Sequence, residues 1–261
     1  MKSWSQISFI VALVILIAGG TIYYYLTAQN PLNAYIGKPI PPSLYEQLEQ
    51  LSEQGYNVSV TVNDFQPLPL NFSSNGKPAV IFIGDEWCPY CGAERWALII
   101  ALLRFGNFSN LSYMLSSPTD VYPDTPTFSF YHAKYTSKYI AFIGIENENR
   151  EYELLEQVPP SIYTVWQKYG NLSVPFIIIG SYYQVGTTID PGLLSGYNWS
   201  YVIAQLHNAS SPIYKEIYEQ ANLITKMICQ VDGGQPASVC SHFEQQNNQP
   251  LEITEMQKQE E

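Results

Sequence analysis

Two cysteines three positions apart frame the segment Trp87-Cys88-Pro89-Tyr90-Cys91-Gly92. The run Ala79–Ile83 before it reads as a buried β-strand, and Ala93–Phe105 after it reads as a helix stopped by Gly106. At the start of a helix, sulfurs with this spacing can bond to each other or separate as thiols. The first sits where unpaired N–H groups and the helix dipole favour negative charge. The thiolate is the attacking species in disulfide exchange. Cys88 is therefore the candidate nucleophile, and Cys91, one turn inward, the residue that resolves a mixed disulfide. Pro89 suits a first turn, because its missing N–H would have no partner there. Asp85 and Glu86 pull the other way, since neighbouring acids disfavour a thiolate. An inert disulfide and half of a zinc site stay open as readings, although zinc needs four ligands and the chain has no second Cys-x-x-Cys.

Trp87 and Tyr90 flank the sulfurs and are expected to contact a partner's cysteine. Glu94 and Arg95 follow Cys91 by three and four positions. They could serve proton transfer or thiolate stabilisation, and a local ion pair between them is the plainer expectation. The other cysteines, Cys229 and Cys240, have Gly233, Gly234 and Pro236 between them, so the chain can fold back. In an oxidising compartment they read as a structural disulfide pinning the last helix, with electron shuttling to the first pair as the sharper alternative.

Downstream, Lys168-Tyr169-Gly170-Asn171-Leu172-Ser173-Val174-Pro175 runs into Phe176–Ile179. This resembles the K-Y-G-x-x-x-[IV]-P segment of thioredoxins. The resemblance implies a cis Val174-Pro175 bond packed beside Cys88 and Cys91, where Val174 and Pro175 would hold a partner's backbone. Two departures stand out. Phe82 occupies the place of the buried thioredoxin aspartate, and 86 residues separate Cys88 from Val174, about twice the family's gap. The string Gly84–Leu98, with Ala101–Gly106, Ser116-Ser117, Thr125–Tyr131, Tyr135–Phe142, Glu146, Ala221–Thr225, Ile228-Cys229 and Pro236–Cys240, is more closely similar to an uncharacterised family of archaeal and actinobacterial membrane-anchored proteins. That domain has no assigned function.

Ile7–Leu26 is a nearly uninterrupted apolar run, long enough to cross a ~30 Å hydrocarbon core as a helix. Lys2 before it and Tyr23–Tyr25 at its end suit a single-pass anchor at a cell membrane, favoured over a cleaved signal peptide. Either way the bulk of the chain is expected to be extracytoplasmic. Seven Asn-x-Ser sequons, at Asn57, Asn71, Asn107, Asn110, Asn171, Asn198 and Asn208, agree with that, because chance predicts only about two. The net charge of −11 argues against a general nucleic-acid surface, which needs a basic patch.

The expected fold class is α/β: a thioredoxin-like mixed sheet flanked by helices, with an insertion between the Cys-x-x-Cys helix and the cis-proline strand, plus one N-terminal transmembrane helix. The expected division is an anchor over 1–28, a linker over 29–42, one domain over 43–242 with the insertion at about 111–157, and a disordered polar tail over 243–261. Within the domain, Ser43–Glu53 reads as a helix, Asn57–Val62 as a first strand, Tyr183–Ile189 as the last strand, and Asn198–His207 and Pro212–Gln230 as helices. The expected activity is thiol–disulfide exchange on cysteine-containing exported proteins or a membrane redox partner, with no organic cofactor and no metal. A redox-inert binding module of the cell envelope, stapled by permanent disulfides, is the alternative.

Overall fold

The structure is a computed structural model that describes residues 11–20 and 30–244. The chain divides into two units, Met1–Ile36 and Gly37–Glu261. In the first, residues 11–20 form a helix (α1), and the expected linker holds a 3-10 turn at Pro31–Tyr35 whose start is capped by the Asn30 side chain. The transmembrane helix is a correction to the expected fold class. The rest of the run Ile7–Leu26, beyond residues 11–20, lies outside the described residues. Among the described residues no helix is long and apolar enough to cross a membrane. The twenty-residue Pro212–Val231 has the length but carries Lys215, Glu216, Glu219 and Lys226. Residues 245–261 of the expected tail also lie outside the described residues, while Phe243 and Glu244 are helical.

The second unit is built on a mixed sheet. Its central strand β3 (Lys77–Gly84) is entered through a hairpin with β2 (Ser73–Ser74), where Asn75 and Gly76 both take positive φ, as a two-residue turn requires. On one side β3 pairs antiparallel with β9 (Phe176–Ile179), then β10 (Tyr182–Val185) and β1 (Gln66–Pro67). On the other it pairs in parallel with β8 (Ala141–Glu146), which sets Gly84 opposite Glu146. Strand alternation turns Ile81, Ile83, Phe176 and Ile178 to one face, against Ile162, Val165 and Trp166 of α4 (Pro160–Gly170). On the other face run α3 (Pro89–Leu103) and α6 (Pro212–Val231), joined by α2 (Pro42–Ser52) and α5 (Trp199–Leu206). Every residue of α3 from Cys91 to Leu102 is buried, which accounts for a helix apolar nearly all round. The final helix α7 (Ala237–Glu244) is tied to α6 by a Cys229–Cys240 disulfide with Cα atoms 5.6 Å apart. Closing so short a loop is worth about 3 kcal/mol on chain-entropy grounds.

The segment expected as an insertion, residues 111–157, is rich in short strands. It holds β5 (Ser112–Leu115), which pairs antiparallel with β6 (Pro126–Ser129), then β7 (Lys134–Ser137), which pairs antiparallel with β4 (Gly106–Ser109) just before the segment, and β8, which joins the main sheet. Asn57–Val62 forms no strand. Its backbone is satisfied by α6 side chains instead: Asn222 Nδ2 donates to Gly55 O (2.9 Å) and Val58 O (2.8 Å), and the Thr61 N–H donates to Glu219 Oε1 (2.6 Å).

One buried cation ties the helices together. Arg104, just past α3, donates to Ser52 O at the end of α2, to Gln54 O just beyond it, and to Asn222 Oδ1 and Thr225 Oγ1 on α6, all at 2.8–3.0 Å. Its guanidinium lies 4.2 Å from the Tyr56 ring centroid. No carboxylate pairs with it among the described residues, so burial lowers its pKa to about 10. Arg104→Met should leave two buried carbonyls and two side-chain groups without donors. We expect a loss of about 3 kcal/mol in urea unfolding, with the chemistry of Cys88 unchanged in the folded protein.

Candidate functional site

Cys88 is the N-cap residue of α3, with extended backbone (φ −77°, ψ 120°), and its Sγ accepts the Cys91 N–H at 3.3 Å. The cap arises because Pro89 starts the helix and leaves the sulfur facing the free amides of the first turn. Both cysteines are thiols; Cys88 keeps 3 % of its surface and Cys91 none. Their environments push them apart. The hydrogen bond from Cys91 lowers the Cys88 pKa most. Burial opposes it; the Cys91 N–H and the Arg95 charge add to it, and Asp85 works against it. Cys91 goes the other way, raised by burial, by its bond to Cys88 and by the Cys88 charge. One sulfur is poised as a thiolate and the other kept as a thiol.

Carboxylates surround the pair, but burial makes them poor anions. Asp85 is pushed up to about 6, against hydrogen bonds to its Oδ1 from Asn147 Nδ2 (3.1 Å) and the Glu148 N–H (3.0 Å). Glu86 is pushed up to about 7 by burial, although Ser129 Oγ donates to it at 2.6 Å. Near neutral pH Glu86 is about half protonated, whereas Asp85 is mostly ionised and still works against the Cys88 thiolate.

Arg95 is fully buried one helical turn after Cys91. Its Nε donates to Glu146 Oε1 (3.0 Å), and its Nη2 donates to the Asp85 carbonyl (2.9 Å) and to Glu146 Oε2. Burial works against its charge, and Glu146 and the Cys91 sulfur more than offset that, so its pKa rises and the guanidinium stays charged. Its Nη1 finds no partner among the described residues. The expected Glu94–Arg95 pair is corrected here. Consecutive helical residues point to different faces, so Arg95 reaches Glu146 on β8, whereas Glu94 reaches Gln220 on α6 (2.9 Å). Glu94 is completely buried and burial pushes it up to about 8, outweighing hydrogen bonds from Thr187 and Gln220.

A cavity of about 700 Å³ opens at the motif. Cys88, Trp87, Pro89 and Tyr90 form one wall, and Leu172, Ser173 and Val174 another; Tyr163 and Trp166 of α4 and the polar Asp85, Asn147, Glu148 and Asp120 complete it. The Val174–Pro175 peptide is cis, and Trp166 Nε1 holds the preceding turn through Ser173 O (2.8 Å). Trp87 is fixed by its Nε1 bond to Glu148 Oε2 (2.8 Å) and by stacking on Tyr152. Tyr90 is exposed and meets Tyr122 edge-on. Of the residues singled out from sequence, Trp87, Cys88, Tyr90 and Val174 line this cavity together. Cys91, Pro175, Glu94 and Arg95 do not, and Cys229 and Cys240 line a separate one. Asn147, Glu148, Tyr163 and Trp166 were not readable as site residues, because they come from other elements brought close by folding. Among the described residues, no group of three His, Cys, Asp or Glu side chains could hold a metal ion.

Two tests follow from these charges. Removing the cation with its counter-ion, in Arg95→Met/Glu146→Gln, should raise the Cys88 pKa and slow its alkylation at neutral pH by roughly three- to tenfold. Arg95→Lys, which keeps a charge, should slow it far less. The second concerns stability. In the fold Glu94 keeps its proton up to about pH 8, whereas in the unfolded chain it would release it near 4.5. The fold thus gains stability that is whole below pH 4.5 and drains away as pH rises towards 8; Asp85 and Glu86 act in the same sense up to about 6 and 7. Urea unfolding should therefore show stability falling from pH 5 to 8, by up to ~1.4 kcal/mol per pH unit for each such carboxyl. Glu94→Gln should flatten the limb above pH 7.

No curated protein and no solved structure matches the chain. Residues 63–230, well over half of the chain, match the model of a domain of unknown function, DUF929, a span that holds the motif strand, the Cys88–Cys91 helix and the Val174–Pro175 turn. The protein belongs to the DUF929 family.

Proposed function

We propose that the protein is an extracytoplasmic thiol–disulfide oxidoreductase, acting in thioredoxin-like fashion on cysteines of exported proteins or of a redox partner. One observation carries the reading: two sulfurs hydrogen-bonded to each other at a helix N-terminus are shifted in opposite directions, and only the one pushed towards the thiolate faces a cavity. The Cys229–Cys240 bond supports an oxidising compartment, where such cross-links persist.

In the reducing direction, the Cys88 thiolate attacks one sulfur of a partner disulfide. That S–S bond breaks, a mixed disulfide forms, and the partner's other sulfur leaves as a thiolate that takes up a proton. Cys91 then gives up its proton and attacks Cys88 Sγ. The mixed disulfide breaks, the second partner thiol leaves, and a Cys88–Cys91 disulfide remains. Two electrons have passed from the cysteine pair to the partner. The same steps reversed oxidise a partner dithiol. Asp85, whose charge acts on both sulfurs and whose carboxyl is pushed up to about 6, would be the group to take the Cys91 proton. Trp87 and Val174 line the cavity together with Cys88, where the partner's chain would lie.

The test is to replace Cys91 with Ser, present a disulfide-containing protein, and resolve the products on a non-reducing gel. A covalent adduct through Cys88 that dithiothreitol releases is expected, with no adduct from Cys88→Ser. If Cys91→Ser forms no adduct while its Cys88 still alkylates, the protein is not an oxidoreductase and the inert binding module replaces this reading.

A further inference from the structure

We infer that this protein carries N-linked oligosaccharides on the asparagines of its seven Asn-x-Ser sequons. The sequence supplies an excess of these triplets, but a triplet accepts a glycan only if the fold presents it. All seven sequon asparagines are exposed. Of the other seven asparagines among the described residues, only Asn63 and Asn75 are exposed; Asn30, Asn33, Asn147 and Asn149 are half-buried and Asn222 is buried. Sequon membership and exposure go together in a way that amino-acid composition alone does not explain.

The sites are spread over the fold and sit where the chain is accessible. Asn57 and Asn71 lie in irregular chain after α2 and before β2. Asn107 is on the short strand β4, and Asn110 follows it in a left-handed turn (φ 62°). Asn171 is the left-handed cap of α4 (φ 49°), and Asn198 and Asn208 flank α5. The serine two positions on is exposed in six of the seven and half-buried only at Ser112.

The hydrogen bonding leaves the reactive atom available. Asn198 caps α5 through its Oδ1, which accepts the Tyr201 N–H at 2.8 Å, and Asn208 Oδ1 accepts the Ser210 N–H at 3.1 Å. Among the described residues no hydrogen bond uses the Nδ2 of any of the seven. The modification joins Nδ2 to the anomeric carbon of a sugar delivered as a lipid-linked glycosyl phosphate by a glycosyltransferase. The C1–O bond to phosphate breaks, the N–C1 bond forms, the lipid phosphate leaves, and the amide proton passes to the transferase. The amide oxygen stays in place, so the Asn198 cap and the Asn208 turn bond both survive. None of the seven lines the cavity at Cys88; Asn171 stands closest along the chain, just before Leu172 and Ser173 in its wall. The sugars would therefore cover the outer surface and leave the sulfur open.

The inference does not depend on exchange chemistry and is tested apart from it. The protein is isolated from its own cells, digested, and its asparagine-containing peptides are weighed by mass spectrometry. Peptides bearing sequon asparagines should be heavier by the mass of an oligosaccharide, and those bearing Asn63 and Asn75 should not. Unmodified masses at all seven positions would overturn the inference, as would sugar on Asn63 or Asn75.

Discussion

The Arg95–Glu146 pair, sealed from solvent, is the constraint around which the rest is arranged. A buried guanidinium is costly unless its charge is met and its donors are used. Here the charge is met by the last residue of β8, and one donor is spent on the carbonyl of Asp85 in the turn before Cys88. Glu146 Oε1 also accepts the Phe130 N–H at 2.9 Å, so the same carboxylate anchors the end of β6. Helix, turn, parallel strand and hairpin are thus held by one ionic group. The Arg95 charge lowers the pKa of both sulfurs from a fully buried position where little water screens it.

That arrangement explains how acidic residues can crowd a thiolate. Asp85 and Glu86 precede Cys88 directly in the chain, and on charge alone they would oppose it. Burial raises their own pKa values, Ser129 and Asn147 fix their geometry, and Arg95 supplies the compensating charge. The sign of the local field is set by what each carboxyl touches, not by the number of acids in the sequence.

Much of the architecture was legible because its signals are local. Leu44, Leu48 and Leu51 form one buried stripe on α2, as their spacing requires, and Pro89 opens α3 with Cys88 at its cap. The α5 start at Asn198 is marked by a side chain that caps it. What escaped is non-local. Val58 and Thr61 alternate like a strand, yet side chains of α6 more than 150 residues away claim their backbone. Glu146 reaches Arg95 only because parallel pairing with β3 sets its register, and no period in the sequence encodes that partner. The N-terminal apolar run has the composition of a membrane-crossing helix, yet among the described residues no helix is long and apolar enough to cross a membrane.

The complete enclosure of Cys91 has a consequence for side reactions. A second accessible sulfur would let two molecules cross-link twice, or let a captured chain migrate to the wrong cysteine. In the proposed exchange, a partner sulfur would therefore bond only at Cys88, and Cys91, buried beside it, would supply the release.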